Sequence, residues 1–302
     1  MHQMPKRVIL IVFGIASILL AWMSFGSGHA FAESGDQLTK GLTVSPLRTE
    51  AEVAPGTSQD KTLSITNNNK TPITVRLSAE EFSVINQQYD YAFNIETELV
   101  KWVAFASNTI EVAPGETKSV AFRIGVPIDA EPGGRYISMF ASTEAGSTGD
   151  GSISRQRVGS LIYLTVLGDV SRAGNLVSLS APWFVTSSTD WRATLQNTGT
   201  THYRSRYNVV IQDIFGGTQS STTVGEALIL PGTVRSVSDA VPLPRFPGIY
   251  KLTYTIGLGD TPAKVETRYM IYLPTAAIVV IIFAAILIVA LVGEYRSRKR
   301  HA

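Results

Sequence analysis

The sequence predicts an all-β fold with a single apolar helix at its end. Three observations carry this. Apolar and polar residues alternate with a period of two along most of residues 41–272. Gly, Pro and Asn clusters punctuate the runs at short intervals. One stretch near the C-terminus, Thr275 to Gly293, has no charged side chain. Many short strands with Gly/Pro turns and almost no helical period predict two immunoglobulin-like β-sandwich domains in series, over 41–170 and 174–272, followed by one transmembrane helix.

The chain opens with Lys6 and Arg7, an apolar stretch from Val8 to Met23, and the small-x-small triplet Ala30-Phe31-Ala32 before Glu33. A positive start, an apolar middle and a small-residue cleavage site predict a signal peptide over residues 1–32. Roughly 240 residues separate it from the C-terminal helix, room for one or two domains. Of 26 basic and 24 acidic residues, six cations and one acid lie in the two ends, which leaves 20 against 23 between them. A net −3 surface without a Lys/Arg block has no electrostatic footprint for nucleic acid, and no nucleic-acid partner is expected. Cysteine is absent. That excludes disulfide staples, a thiol nucleophile, thiolate metal sites and a lipidated cysteine.

In the first domain Leu63 and Ile65 alternate with Thr62, Ser64 and Thr66. Ile73, Val75 and Leu77 do so with Thr74, Arg76 and Ser78, and Val120, Phe122, Ile124 and Val126 line one face of a third run. Asn67-Asn68-Asn69, Pro132-Gly133-Gly134 and Gly149-Asp150-Gly151 mark turns, and the apolar run Leu161 to Leu167 reads as a central or closing strand. Ala54-Pro55-Gly56-Thr57 returns as Ala113-Pro114-Gly115-Glu116 and, shortened, as Leu230-Pro231-Gly232-Thr233. Proline presets φ at the second turn position and glycine accepts positive φ at the third, so each reverses the chain into a new strand.

A boundary falls near Gly168–Gly174. Strands are then expected over Leu176–Val185, Trp191–Gln196, Tyr203–Asp213, Val224–Leu230, Ile249–Leu258 and Val265–Tyr272. Pro247-Gly248-Ile249-Tyr250 has the form of a tyrosine corner. The last strand runs almost directly into residues 273–293, the expected span, with Pro274 as the only punctuation; at about 1.5 Å per residue the uncharged core Thr275–Gly293 covers roughly 28 Å as a helix. Tyr269 and Tyr272 are expected at an aromatic belt. Arg296, Arg298, Lys299 and Arg300 make residues 294–302 a basic cytoplasmic tail, and the ectodomain is expected outside the cytoplasmic membrane, extracellular or periplasmic.

The catalytic inventory is thin. His202 is the one histidine between signal and tail, and after Asn197-Thr198-Gly199-Thr200-Thr201 it reads as a solvated loop residue. No triad base or second zinc ligand accompanies it. Glu80-Glu81 would face opposite sides of a strand, and Glu96 and Glu98 one side, as solvated charge. No enzyme activity, cofactor or metal is expected. Tyr89, Tyr91 and Phe93 alternate, with Trp102 and Phe105 following; on a strand the first three project from one face, either to finish the core or to bind a ligand. Tyr203, Arg204, Arg206 and Tyr207 mix rings and guanidinium groups as interfaces do, or solvate a sheet.

Two resemblances sharpen the expectation. Thr43-Val44-Ser45-Pro46, Ala54-Pro55-Gly56, Val112-Ala113-Pro114-Gly115, Phe122-Arg123-Ile124-Gly125-Val126-Pro127 and Pro132-Gly133-Gly134, with the span and basic tail, resemble the WxL-interacting surface proteins of Gram-positive bacteria. That implies a non-enzymatic surface scaffold binding cell-wall polymer or a secreted surface protein. Arg48 followed by Thr62-Leu63-Ser64-Ile65-Thr66-Asn67-Asn68 is similar to the first domain of periplasmic pilus chaperones. That implies a carboxylate-holding arginine at Arg48 and a membrane-tethered assembly factor for exported subunits. The lysine that such chaperones carry on the domain's last strand is missing from Gly159–Val166. Tyr89, Tyr91, Phe93 and Arg48 are the candidate partner-binding residues.

Overall fold

The computed structural model describes residues 41–143, 146–147 and 153–300. The expected signal peptide and the Gly149-Asp150-Gly151 turn lie outside them. The strands of the first half are β1 (Leu42–Ser45), β2 (Arg48–Val53), β3 (Ser58–Asn67), β4 (Ile73–Val84), β5 (Tyr91–Asn94), β6 (Val103–Phe105), β7 (Thr109–Val112), β8 (Thr117–Gly125), β9 (Gly133–Thr143), β10 (Gly146–Ser147), β11 (Ile153–Ser154) and β12 (Arg157–Val166). Those of the second are β13 (Gly174–Ser180), β14 (Phe184–Val185), β15 (Asp190–Asn197), β16 (Tyr203–Asp213), β17 (Thr218–Ile229), β18 (Val234–Ala240), β19 (Gly248–Leu258) and β20 (Thr261–Tyr272), before helix α1 (Thr275–Arg300).

Two sheets enclose the core of the first half, β1-β3-β8-β6 and β2-β12-β9-β4 continued by β5 and β7, while β10 and β11 pair separately. The alternation read from sequence supplies the core between them, where Leu63, Ile65, Val75, Ile124, Ile137 and Leu164 are fully buried. The run Leu161–Leu167 does hold a central strand. β12 lies between β2 and β9, and Tyr163 and Thr165 are buried on the face opposite Ile162 and Leu164. The second half stacks β13-β15-β18 against β14-β20-β19-β16-β17 around Trp191, Leu195, Ile211, Leu252 and Tyr254. Tyr250 is buried, and its hydroxyl donates to the Phe246 carbonyl at 2.6 Å, closing the tyrosine corner.

Each Pro-Gly turn takes the expected geometry. Gly56, Gly115 and Gly232 have φ of 74°, 71° and 70°. The following N–H donates back three residues, Thr57 to Ala54, Glu116 to Ala113 and Thr233 to Leu230, at 3.1–3.2 Å. Two of these turns are wired to a buried asparagine. Asn67 gives its side-chain amide to the carbonyls of Thr71 and Val112, and its own carbonyl accepts from Gly115 N–H. Asn197 does the same with Thr201, Ile229 and Gly232.

Three elements differ from expectation. The single strand over Leu176–Val185 is two: Pro182 interrupts it, β13 stays in the three-stranded sheet and β14 crosses to lie parallel to β20. β18 was not expected, because Val237 is its one buried apolar residue among polar neighbours. β17 begins at Thr218 instead of Val224, its polar first part zipped to β16 by backbone bonds. α1 contains Thr275–Gly293, long and apolar enough to cross a membrane, with none of it buried against the β structure. Of the two tyrosines expected at a belt, Tyr269 is exposed but Tyr272 is buried in the second core, because the strand continues through it.

Candidate functional site

Among the described residues, the outer face of the six-stranded sheet carries the largest group of contacting aromatic rings. Register puts Phe93 beside Phe82 and Tyr163 between Tyr136 and Glu50. Phe82 is the hub, with ring centroids 5.2 Å from Tyr91, 5.7 Å from Tyr136 and 5.6 Å from Tyr163. Phe93 meets Phe140 at 5.0 Å, edge to face. The Arg157 guanidinium covers Phe140 from 3.5 Å and is also paired with Glu80. One end of this array is covered by the second half. The other is open, and Phe93 is 42% exposed.

Four residues carried the sequence expectation, and the structure separates them. Tyr91 and Phe93 share the outer face with Phe82, whereas Arg48 stands on β2, at the opposite edge of the sheet, paired with Leu161. Tyr89 leaves the set. It precedes β5, has a φ of 69°, and its ring is buried between the halves, so it does not alternate with the other two on a strand. Its hydroxyl accepts from Leu230 N–H at 2.8 Å and lies 2.7 Å from Thr233 Oγ1, with the Arg235 guanidinium 4.3 Å above the ring. Trp102 and Phe105 pack against the first core. Phe82, Tyr136, Tyr163 and Arg235 were missed. Their apolar-polar alternation assigns them to a strand face without saying that the face is shared between halves.

His202 is the second correction. The Asn197–Thr201 turn lies against β12, with Gly134 N–H donating to the Thr200 carbonyl and Thr165 and Thr201 hydroxyls 3.0 Å apart. His202 is therefore buried between Tyr136 and Tyr163, at centroid distances of 5.7 and 5.6 Å. Loss of hydration pushes its pKa down to about 4, and burial pushes both tyrosines up. At neutral pH all three are uncharged, which suits packing.

Around them lies a cleft of about 440 Å³ lined by Glu50, Glu52, Arg172, His202 and Arg204 among others. Glu52 pairs with Arg172 at 2.8 Å, and Arg204 donates to Glu50 and, at 2.7 Å, to Glu226. Arg204 thus bridges the halves and Tyr203 beside it is buried, while Arg206 stays exposed, 3.5 Å from Glu226. Arg235, from the second half, donates to the Leu228 carbonyl at 2.6 Å and lies over the Tyr89 ring. Glu96 and Glu98 do not share a strand face: Glu98 opens a 3-10 turn and pairs with Lys101. Among the described residues no group of three or more His, Cys, Asp and Glu side chains is placed to hold a metal ion.

No protein-family model matches the chain, and no curated protein does; the WxL-interacting resemblance gains no support there. Among solved structures the chain is similar to CfaA, a class 5 fimbriae chaperone, at 10% identity over 77% of this chain and 100% of that one, with a TM-score of 0.39. A chaperone–tip adhesin complex of CFA/I fimbriae biogenesis is similar at 9% identity, covering 78% and 99%, TM-score 0.38. The CsuC–CsuE chaperone–tip adhesion subunit pre-assembly complex of archaic Csu pili from Acinetobacter baumannii is similar at 10%, covering 77% and 99%, TM-score 0.36.

Proposed function

We propose that this chain is a non-enzymatic, membrane-tethered assembly factor that holds an exported polypeptide on the outer face of its six-stranded sheet. The observation that carries the reading is the open end of the aromatic surface, where Tyr91 and Phe93 lie beside Phe82 and Phe93 is 42% exposed. A segment laid across the sheet covers these rings with its apolar side chains and sets a carboxylate on Arg48 at the opposite edge. The halves act as two immunoglobulin-like sandwiches, 41–170 and 174–272, α1 spans the cytoplasmic membrane, and the basic tail stays inside.

The test is photo-crosslinking in the protein's own cells with a photoreactive amino acid at Phe93. An exported polypeptide in the crosslinked product is expected, and Arg48→Ala should cut its yield at least tenfold. Crosslinking to cell-wall glycan instead would restore the wall-scaffold reading, and no product at all would overturn both.

A further inference from the structure

The second half ends in a rim of exposed apolar side chains where the chain enters α1. β20 finishes at Tyr272, and only Leu273 and Pro274 precede the helix. Register shows which other segments lie at that end. Tyr272 pairs with Gly248 on one side and Val185 on the other, and Asp213 pairs with Tyr250. The Phe246–Pro247 entry to β19, the Trp183 entry to β14 and the turn after Asp213 therefore surround the start of the helix.

The side chains presented there are large and uncovered. Phe184, Ile271 and Ile249 form one cross-strand row, all exposed, and Ile214 follows the Asp213–Tyr250 pair. Trp183, Phe246 and Phe215 stand at the loop tips, 72%, 62% and 92% exposed. The most exposed is also the most firmly held. Asp213 accepts from the N–H groups of Phe215 and Gly217 and from the Gln219 side chain, all at 2.9 Å, and the Gly216 N–H closes the turn on the Asp213 carbonyl. A turn braced in this way around a ring aimed at solvent leaves that ring uncompensated in water.

We propose that this rim is a lipid-docking surface, seated in the headgroup and acyl boundary of the bilayer that α1 crosses. The connector decides the occupant. The three Cα–Cα steps from Tyr272 to Thr275 span at most about 11 Å, so the sheet end cannot stand farther than that from the helix's first turn. Trp and Phe at this depth lose apolar exposure to lipid, and Arg245, 5.4 Å from the Phe246 ring, reaches the phosphates. The second half thus lies on the membrane at a fixed orientation and does not swing from the helix. This rests on α1 spanning the bilayer.

The absence of native cysteine makes the test direct. The full chain, reconstituted in phosphatidylcholine–phosphatidylglycerol vesicles, carries an environment-sensitive fluorophore at Phe215→Cys, Trp183→Cys, Val289→Cys or Glu98→Cys. Nitroxide lipids are expected to quench the labels at 215, 183 and 289, while aqueous iodide quenches the label at 98 alone. If 289 responds to lipid but 215 and 183 follow 98, the rim stands in water, and the proposal fails while the span holds. If 289 also follows 98, the span reading fails and takes the rim with it. Shielding of 215 and 183 from iodide without lipid quenching would mean that a second copy or another protein covers them, and would likewise overturn the proposal.

Discussion

At the scale of single residues, His202 shows how position overrules type. A histidine after a Thr/Gly-rich turn is ordinarily hydrated, yet here the turn itself docks on β12 and carries the ring between two tyrosines. Its pKa is about 4 in the folded chain against 6.5 when exposed. The unfolded chain therefore takes up a proton first as pH falls. The stability that the neutral ring contributes is complete above about pH 6.5 and is lost progressively towards pH 4, to a total of about 3 kcal/mol. Thermal unfolding of the detergent-solubilised chain between pH 7 and pH 4 should show this loss, and His202→Gln should flatten it. An unchanged slope in the variant would place the sensitivity elsewhere.

At the scale of elements, the two halves use one device twice. Asn67 and Asn197 each tie the end of a strand to the carbonyl that precedes a Pro-Gly turn and to a carbonyl four residues on. Both are almost completely buried. The sequence displayed the turns openly, since Pro and Gly restrict φ locally. The asparagines read only as turn residues, because their partners lie 30 to 45 residues away. Asn67→Ala and Asn197→Ala should each cost about 2–3 kcal/mol by stranding buried carbonyls, whereas a substitution at the exposed neighbour Asn68 should cost little. Chemical denaturation of the three variants decides it. The same contrast between local and distant signals explains the strands. β16 and β19 have alternation enough to be placed almost to the residue, while β18 and the first part of β17 are held by backbone bonds to neighbours that their own residues do not announce.

At the scale of the molecule, a cluster of Phe82, Tyr89, Tyr163, Leu228 and Leu230 joins the halves, with the Glu50–Arg204 and Glu52–Arg172 pairs beside it. Of this, only the interface-like composition around Arg204 was legible. An aromatic on the outer face of a strand looks the same whether it meets solvent, a ligand or another sheet, and the sequence leaves Tyr89 open between core and binding surface for that reason. Tyr89→Phe should cost about 1–2 kcal/mol by leaving the Leu230 N–H unpaired. Tyr89→Ala should cost about 3–5 kcal/mol and split thermal unfolding into two transitions, one for each half. Calorimetry of the full chain reads both effects, and a single unshifted transition would show that the halves are not coupled through this ring.

The short connector after β20 has a mechanical side. With α1 held in a bilayer, tension on the ectodomain leaves through Tyr272, along the axis of a strand bonded to β19 from Gly248 to Leu258. A pull in that direction loads the whole ladder of hydrogen bonds in shear, together, where a pull across the strand would peel them one at a time. β20 is therefore built as a tow line. Under the proposed function, a load on the first half pulls the second half against its anchor without unravelling it from that end.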